Sequence, residues 1–222
     1  MTPDRNVIEG GGCHEALLRG WLLLAKRLGA RGDALAAGRQ VLRCYEQPHR
    51  RYHNLRHLAE CIELADEVAD QLADADAARC ALYFHDAVYT VGAADNEVRS
   101  AEMARRMLMD LGLPDRRGGL IERLIQCTDH RTPPFSSDAR YVVDIDLSIL
   151  GQPADRYTEY AEAIQAEAAL PPEEFRQRRV EFLRNMLARP RLFFTETFAA
   201  RFEAAARANM RRELDSLQRR PS

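Results

Sequence analysis

His85 and Asp86 close the apolar run Ala81-Leu82-Tyr83-Phe84. At helical spacing, Ala78, Ala81, Leu82, Val88 and Tyr89 share the face of His85, so the ring is expected to turn into an apolar interior. A carboxylate beside it needs a counter-charge, because desolvating it alone costs several kcal/mol or more. A cation would supply that charge. The competing reading is a core histidine bonded to a carbonyl next to an ordinary aspartate.

Two further stretches carry the same signature. His57 starts a stripe in which Cys61, Leu64 and Val68 follow at four, seven and eleven residues, so it points along an apolar helix face. In Tyr141-Val142-Val143-Asp144-Ile145-Asp146-Leu147-Ser148, Asp146 has Val142, Val143, Ile149 and Leu150 as helical neighbours, while Asp144 faces Arg140, Tyr141, Leu147 and Ser148. Asp146 is therefore the carboxylate expected to be forced inward. Apolar surroundings that hold polar groups tend to mark functional sites. His57, His85, Asp86 and Asp146 are all metal-ligand types, and two imidazoles with two carboxylates leave positions open on Mn²⁺, Fe²⁺, Ni²⁺ or Mg²⁺. An open position is where water becomes a nucleophile.

The elements that must position these residues read as helices, making the chain an all-α bundle. Leu17, Leu18, Trp21, Leu22, Leu24, Ala25 and Leu28 recur at helical spacing, and Gly29 ends that helix. Residues Met1 to Gly12 are read as a loose arm. A second helix runs from about Asp33 to Tyr45, and Asn54 is placed to cap the one that bears His57. If that helix reached back far enough, His53 would lie one turn before His57 on the same face. The next helix carries His85 and Asp86. Asp95-Asn96-Glu97 opens another, where acidic residues suit the helix dipole, and a helix from about Asp115 to Asp129 leads to His130. The Tyr141 to Gly151 segment fits either a strand or a short buried helix. Helices over 157–168, 173–187 and 195–217 complete the chain. In them Arg176, Arg178, Arg179 and Arg184 read as a solvated face, and Phe198, Phe202, Ala205 and Met210 as packing positions.

Length and composition bound the possibilities. A chain of 222 residues suits a single domain, with a core over about 33–151, an N-terminal arm and helix over 1–30, and C-terminal helices over 153–220. A formal net charge of −2 gives no global case for nucleic acid or an anionic membrane. Five cysteines, Cys13, Cys44, Cys61, Cys80 and Cys127, form no closely spaced pair and read as reduced and mostly structural. No apolar run reaches the length of a membrane span, so the expected location is the cytoplasm.

The order His57, His85-Asp86, Asp146 resembles the HD superfamily of metal-dependent phosphohydrolases, which places a histidine, a His-Asp pair and a distant aspartate on a helical bundle. The resemblance covers about 52–151. Tyr52-His53-Asn54 followed by His57 is similar to the corresponding segment of cyclic-nucleotide phosphodiesterases, and Asp146-Leu147-Ser148 to the segment with their last metal ligand. Phe84-His85-Asp86, Asp95-Asn96-Glu97 and Asp146-Leu147-Ser148 are together similar to a group of small bacterial HD phosphohydrolases. Ala87-Val88-Tyr89-Thr90 departs from the Glu-Asp pair of alarmone hydrolases, and no Gly-Tyr-Pro element follows as in the cyclic-dinucleotide branch.

The resemblance implies an HD-domain bundle that hydrolyses a phosphoester or phosphoanhydride bond by attack of a metal-activated water. His57, His85, Asp86 and Asp146 are then metal ligands, with the ion being Mn, Fe, Ni, Mg or Zn. His53 becomes the acid that protonates the leaving oxygen. Glu97 or Asp95 could orient or deprotonate the water. Asn54, Arg56, His130 and Arg131 become candidates to hold substrate phosphate. The implied partner is a small phosphorylated substrate, a nucleotide above all, with neither nucleic acid nor membrane, and a homodimer is left open. The alternative is a catalytically silent metal-containing protein that senses a nucleotide.

Overall fold

The structure, a computed structural model, describes residues 11–219. Among them are ten α-helices and three short 3₁₀ turns, with no strand. They divide into two compact units, the first extending to Val142 and the second starting at Val143.

The first unit is built from α1 (Gly11–Leu28), α2 (Ala34–Tyr45), α3 (Leu55–Glu67), α4 (Ala75–Phe84), α5 (Asn96–Asp110) and α6 (Asp115–Gln126). Side-chain caps start three of them where short polar residues allow it. Asp33 accepts from the Ala36 amide, Asn54 from Arg56 and His57, and Asp74 from Ala77. Gly29, at φ 81°, ends α1 in the left-handed conformation that glycine adopts without penalty. Gly11 and Gly12 belong to α1 rather than to a loose arm, since packing already begins at Cys13, whose thiol donates to the Leu55 carbonyl. Residues 1–10 of the expected arm lie outside the described residues.

α4 is the central element of this unit. From Ala77 to Phe84 only Arg79 escapes full burial, so the helix is apolar nearly all round and packs against α1, α3, α5 and α6. Trp21 lies edge-on to both Tyr83 and Phe84, with ring centroids 5.4 and 5.7 Å away. Gly38 makes that arrangement possible, because a Cβ there would stand 2.3 Å from Trp21 Cδ1. Buried Tyr83 satisfies its hydroxyl on the Leu17 carbonyl at 2.9 Å.

α7 (Ser137–Leu147) begins in the first unit, so the 141–151 segment is helical, with a 3₁₀ turn over Ser148–Gly151. The second unit continues with α8 (Ala154–Ala168), α9 (Pro172–Ala188) and α10 (Glu196–Arg219). Arg179 departs from the expected solvated face. It is buried, donates through Nε and Nη2 to Glu213 at 2.8 and 3.0 Å, and through Nη1 to the Tyr160 hydroxyl at 3.1 Å. Its partners come from α8 and α10, which spacing along α9 alone does not show. Along α10 the packing positions are Phe198, Phe202, Ala206 and Met210, whereas Ala205 is exposed. No helix of the described residues is long and apolar enough to cross a membrane.

Candidate metal centre

The site is assembled where the start of α3 meets the end of α4. Asn54 adopts an extended conformation, φ −122° and ψ −173°, and its side-chain oxygen takes the amides of Arg56 and His57 at 2.9 and 3.4 Å. That cap fixes the first turn of α3 and with it the buried His57 ring. The helix does not reach back to His53, which sits in the preceding turn and is half-buried. Its ring nevertheless comes to 6.0 Å from His57, edge-on, and stacks on Tyr89 at 4.2 Å.

His85 and Asp86 lie just beyond α4 rather than inside it, since the last helical residue is Phe84. The physical reason is a change of hydrogen-bond partners. In a continuing helix the Leu82 carbonyl would accept the Asp86 amide. Here it lies 2.7 Å from His85 Nδ1, while the Asp86 amide donates to the Tyr45 hydroxyl at 3.2 Å. Arg50 then caps the turn. Its Nη1 donates to the carbonyls of Asp86 (2.6 Å) and His53 (3.1 Å), and its Nη2 to that of Ala87 (3.0 Å). Arg50 is only 5 % exposed, and its guanidinium lies over the rings of Tyr45 and Tyr89.

These contacts set the chemistry of the site. A carbonyl can only accept, so His85 Nδ1 carries a proton, and in the neutral ring Nε2 is a lone-pair donor. The Tyr52 hydroxyl stands 3.0 Å from His57 Nδ1 and can hold that ring in the same tautomer. The two Nε2 atoms face each other at 3.0 Å. Asp86 Oδ2 lies 3.0 Å from His85 Nε2 and 3.4 Å from His57 Nε2. Burial pushes the Asp86 carboxyl up, but His85, His53 and His57 outweigh it and hold the group well below the usual carboxylate range. Electron-pair donors converging in this way require a cation or a shared proton among them. Two donors about 2.1 Å from one ion stand about 3.0 Å apart at a right angle and about 3.4 Å apart at the tetrahedral angle, so this triad fits a divalent metal.

Within the first unit, buried His57, Cys61 and His85 offer ligand atoms that all lie within 4.8 Å of one another and could hold a metal ion. Asp146 is half-buried on α7. Asp146 is nevertheless not the more inward carboxylate of its segment. Asp144 is completely buried and accepts from the Phe194 amide, the Thr195 amide and the Thr195 hydroxyl, each at 2.7 Å. Residues 194–195 cover that face of α7, a layer that the spacing of apolar residues within α7 does not reveal.

The remaining candidates have varied surroundings. Glu97, in the first turn of α5, is half-buried. Burial raises its pKa, its own backbone amide opposes this, and the Asp86 charge adds to the rise while Arg131 works against it. Glu97 thus lies within electrostatic reach of the triad. Asp95 occupies the N-cap position of α5, exposed and without a side-chain cap bond. Asn54 is engaged in its cap and donates to the Arg51 carbonyl, and exposed Arg56 pairs with Glu60 at 3.2 Å. Arg131 ties the end of α6 to the start of α5 by donating to the Ala94 carbonyl at 2.8 Å. His130 takes a left-handed conformation, φ 56°, after the turn Cys127–Asp129.

Sequence reasoning passed over Cys61, Tyr52 and Arg50. Cys61 had a signal, its position one turn after His57, but a cysteine in an apolar stripe reads as packing. Arg50 stands among other arginines, and nothing local distinguishes the buried one. Comparison with protein-family models, with curated proteins and with solved structures found no match for this chain.

Proposed function

We propose that the chain is a metal-dependent phosphohydrolase of the HD type, acting on a phosphoester or phosphoanhydride bond of a nucleotide or another small phosphorylated metabolite. The observation that carries this reading is the convergence of His57 Nε2, His85 Nε2 and Asp86 Oδ2 within 3.0 to 3.4 Å of one another. His57, His85, Asp86 and Asp146 would hold the ion. A divalent cation bound there supplies acidified water and offsets charge on phosphoryl oxygens.

The protein's own groups account for the rest of the reaction. His53, half-buried and 6.0 Å ring to ring from His57, would protonate a departing oxygen. Tyr89 stacks against it and limits its orientation. Glu97, with its pKa raised, is suited to take the proton from the attacking water. Arg131 beside it brings a positive charge to substrate oxygens. The five cysteines, free of disulfides, fit a cytoplasmic enzyme.

The test is release of phosphate or nucleoside from a panel of nucleoside mono-, di- and triphosphates and cyclic nucleotides, with Mn²⁺, Mg²⁺, Ni²⁺, Fe²⁺ and Zn²⁺ added in turn. Turnover that disappears in His85→Ala supports the reading. A wild-type protein that binds metal in stoichiometric amount and turns over nothing in the panel counts against it.

A further inference from the structure

We propose that the cleft along the N-terminal half of α6 is a second binding site, for a small organic di- or triphosphate, which depends neither on the metal centre nor on the reaction proposed for it. Arg116, Arg117 and Arg123 line this cleft of about 680 Å³, together with Pro114, Leu120 and a single carboxylate, Asp74. None of His57, His85 and Asp86 lines it. Asp74 precedes α4 and His85 follows it, so the two sites lie at opposite ends of a ten-residue helix about 15 Å long. A cleft of this size holds a nucleotide-sized molecule with room that a bare phosphate ion would leave unfilled.

α6 sorts its charges by face. Its acidic residues Asp115 and Glu122 both turn to Arg105 of α5, which bonds the Asp115 carboxylate and carbonyl and pairs with Glu122 at 3.8 Å. The arginines are left for the cleft. Arg117 donates through Nη2 to Asp74 at 2.9 Å, and the same carboxylate oxygen caps α4 by accepting from the Ala77 amide. That single bond orients the Arg117 guanidinium and leaves Nη1 for a ligand. Arg123 is oriented by stacking, its guanidinium carbon 3.9 Å from the ring centroid of exposed Phe135. A stacked guanidinium keeps its in-plane N–H groups available for oxygens. Arg116 and Arg123 are exposed and have no carboxylate partner among the described residues. Three guanidinium groups facing one carboxylate make the cleft net positive, at the helix end where the dipole also favours an anion. Arg116 and Arg123 are seven residues apart on one face, a rise of about 10 Å, with Leu120 between them. One phosphate cannot meet both, whereas a chain of two or three can, each planar fork taking paired oxygens. Leu120 and Pro114 give the organic part an apolar wall.

The experiment uses the full chain, stripped with a chelator so that no ion at the metal centre draws phosphate. Calorimetric titration with ATP, inorganic tripolyphosphate, AMP and inorganic phosphate is expected to show one site, tightest for ATP and weakest for phosphate. Arg117→Gln and Arg123→Gln should each weaken ATP binding at least about tenfold, and Phe135→Leu, which keeps every charge, should weaken it a few-fold. Arg39→Gln removes an exposed arginine from α2 and should change nothing, and His85→Ala should also bind ATP as the wild type does. Arg123 is exposed, so its replacement spares the fold and the test does not hang on the Arg117 variant, which also touches the α4 cap. Wild-type affinity for ATP in Arg123→Gln overturns the proposal. So does a hexaglutamate peptide that binds as tightly as ATP, since that is charge attraction without a phosphate site. ATP binding that is lost in His85→Ala assigns the ligand to the metal centre and overturns the cleft, and a wild type that binds none of the four probes overturns it as well.

Discussion

Arg50 Nη1 donates to the backbone carbonyl of Asp86 at 2.6 Å, and the same nitrogen also reaches the carbonyl of His53. One buried guanidinium therefore joins the turn that carries a candidate ligand to the turn that carries the candidate acid. Removing it would leave three carbonyls without this donor, each unsatisfied group costing about 1–3 kcal/mol. Arg50→Ala is expected to lower unfolding free energy by about 2–4 kcal/mol in urea. Arg50→Lys, which keeps the charge but not the planar fork, should fall between the two. Equal stability of Arg50→Ala and wild type would show that the turns hold themselves.

Asp144 and Asp146 separate by the property that each substitution changes. Asp144→Asn turns one carboxylate oxygen into an NH₂ group that faces donors already aimed at it, the Phe194 and Thr195 amides and the Thr195 hydroxyl. A loss of about 1–3 kcal/mol in unfolding free energy is expected, with metal stoichiometry kept. Asp146→Asn should do the reverse, leaving the denaturation midpoint near wild type and weakening metal retention during dialysis. Metal loss in the Asp144 variant alone would mean that the assignment of the two carboxylates is inverted.

Much of the helical layout was legible in the sequence, and the reasons are local. Asp33, Asn54 and Asp74 cap the helices they precede, and Gly29 ends α1, because each of these effects acts within a turn of its own residue. The periodicity of α3 correctly put His57 and Cys61 on its buried face. The unreadable parts depend on partners distant in the chain. Tyr45 takes the Asp86 amide and so ends α4 one residue before His85. Glu213 lies 34 residues from the arginine whose burial it permits. Thr195 lies 51 residues from the aspartate it holds. A spacing rule applied to one helix has no access to any of these.

Glu97 provides a pH signature. Burial and the nearby Asp86 charge raise its pKa in the folded chain above the unfolded value, so ionising it costs the native state. Its favourable contribution is complete below the unfolded pKa, about 4.3, and is lost as pH rises through the folded value. Glu97→Gln stays neutral throughout. In chelator-treated protein, the urea midpoint of Glu97→Gln relative to wild type should therefore increase from pH 4 to pH 7. A difference that is constant over this range would mean that Glu97 titrates alike in both states.

Metal binding should be visible in stability before any substrate is known. A ligand that binds only the folded chain adds about 2.7 kcal/mol at a hundred times its dissociation constant. Thermal midpoints measured with increasing Zn²⁺ or Mn²⁺ are expected to climb steadily for the wild type, return to the starting value with chelator, and stay flat for His85→Ala. If the two Nε2 atoms and Asp86 share only a proton, the wild-type midpoint will not respond to either ion.

His53 is the residue whose role is most cleanly divided between binding and chemistry. Its ring is half-buried, stacked on Tyr89 and directed edge-on toward His57, while its backbone is fixed by Arg50. Truncating the side chain leaves that backbone clamp and the capped start of α3 in place. His53→Ala should thus retain metal content and substrate KM to within a few-fold while kcat drops about 10²–10⁴-fold, the range typical of a lost general acid. The loss should shrink for substrates whose leaving group is already acidic, such as a nitrophenyl ester, because such a group departs without protonation. A variant that loses the same factor on both kinds of substrate would place His53 in positioning rather than in proton transfer.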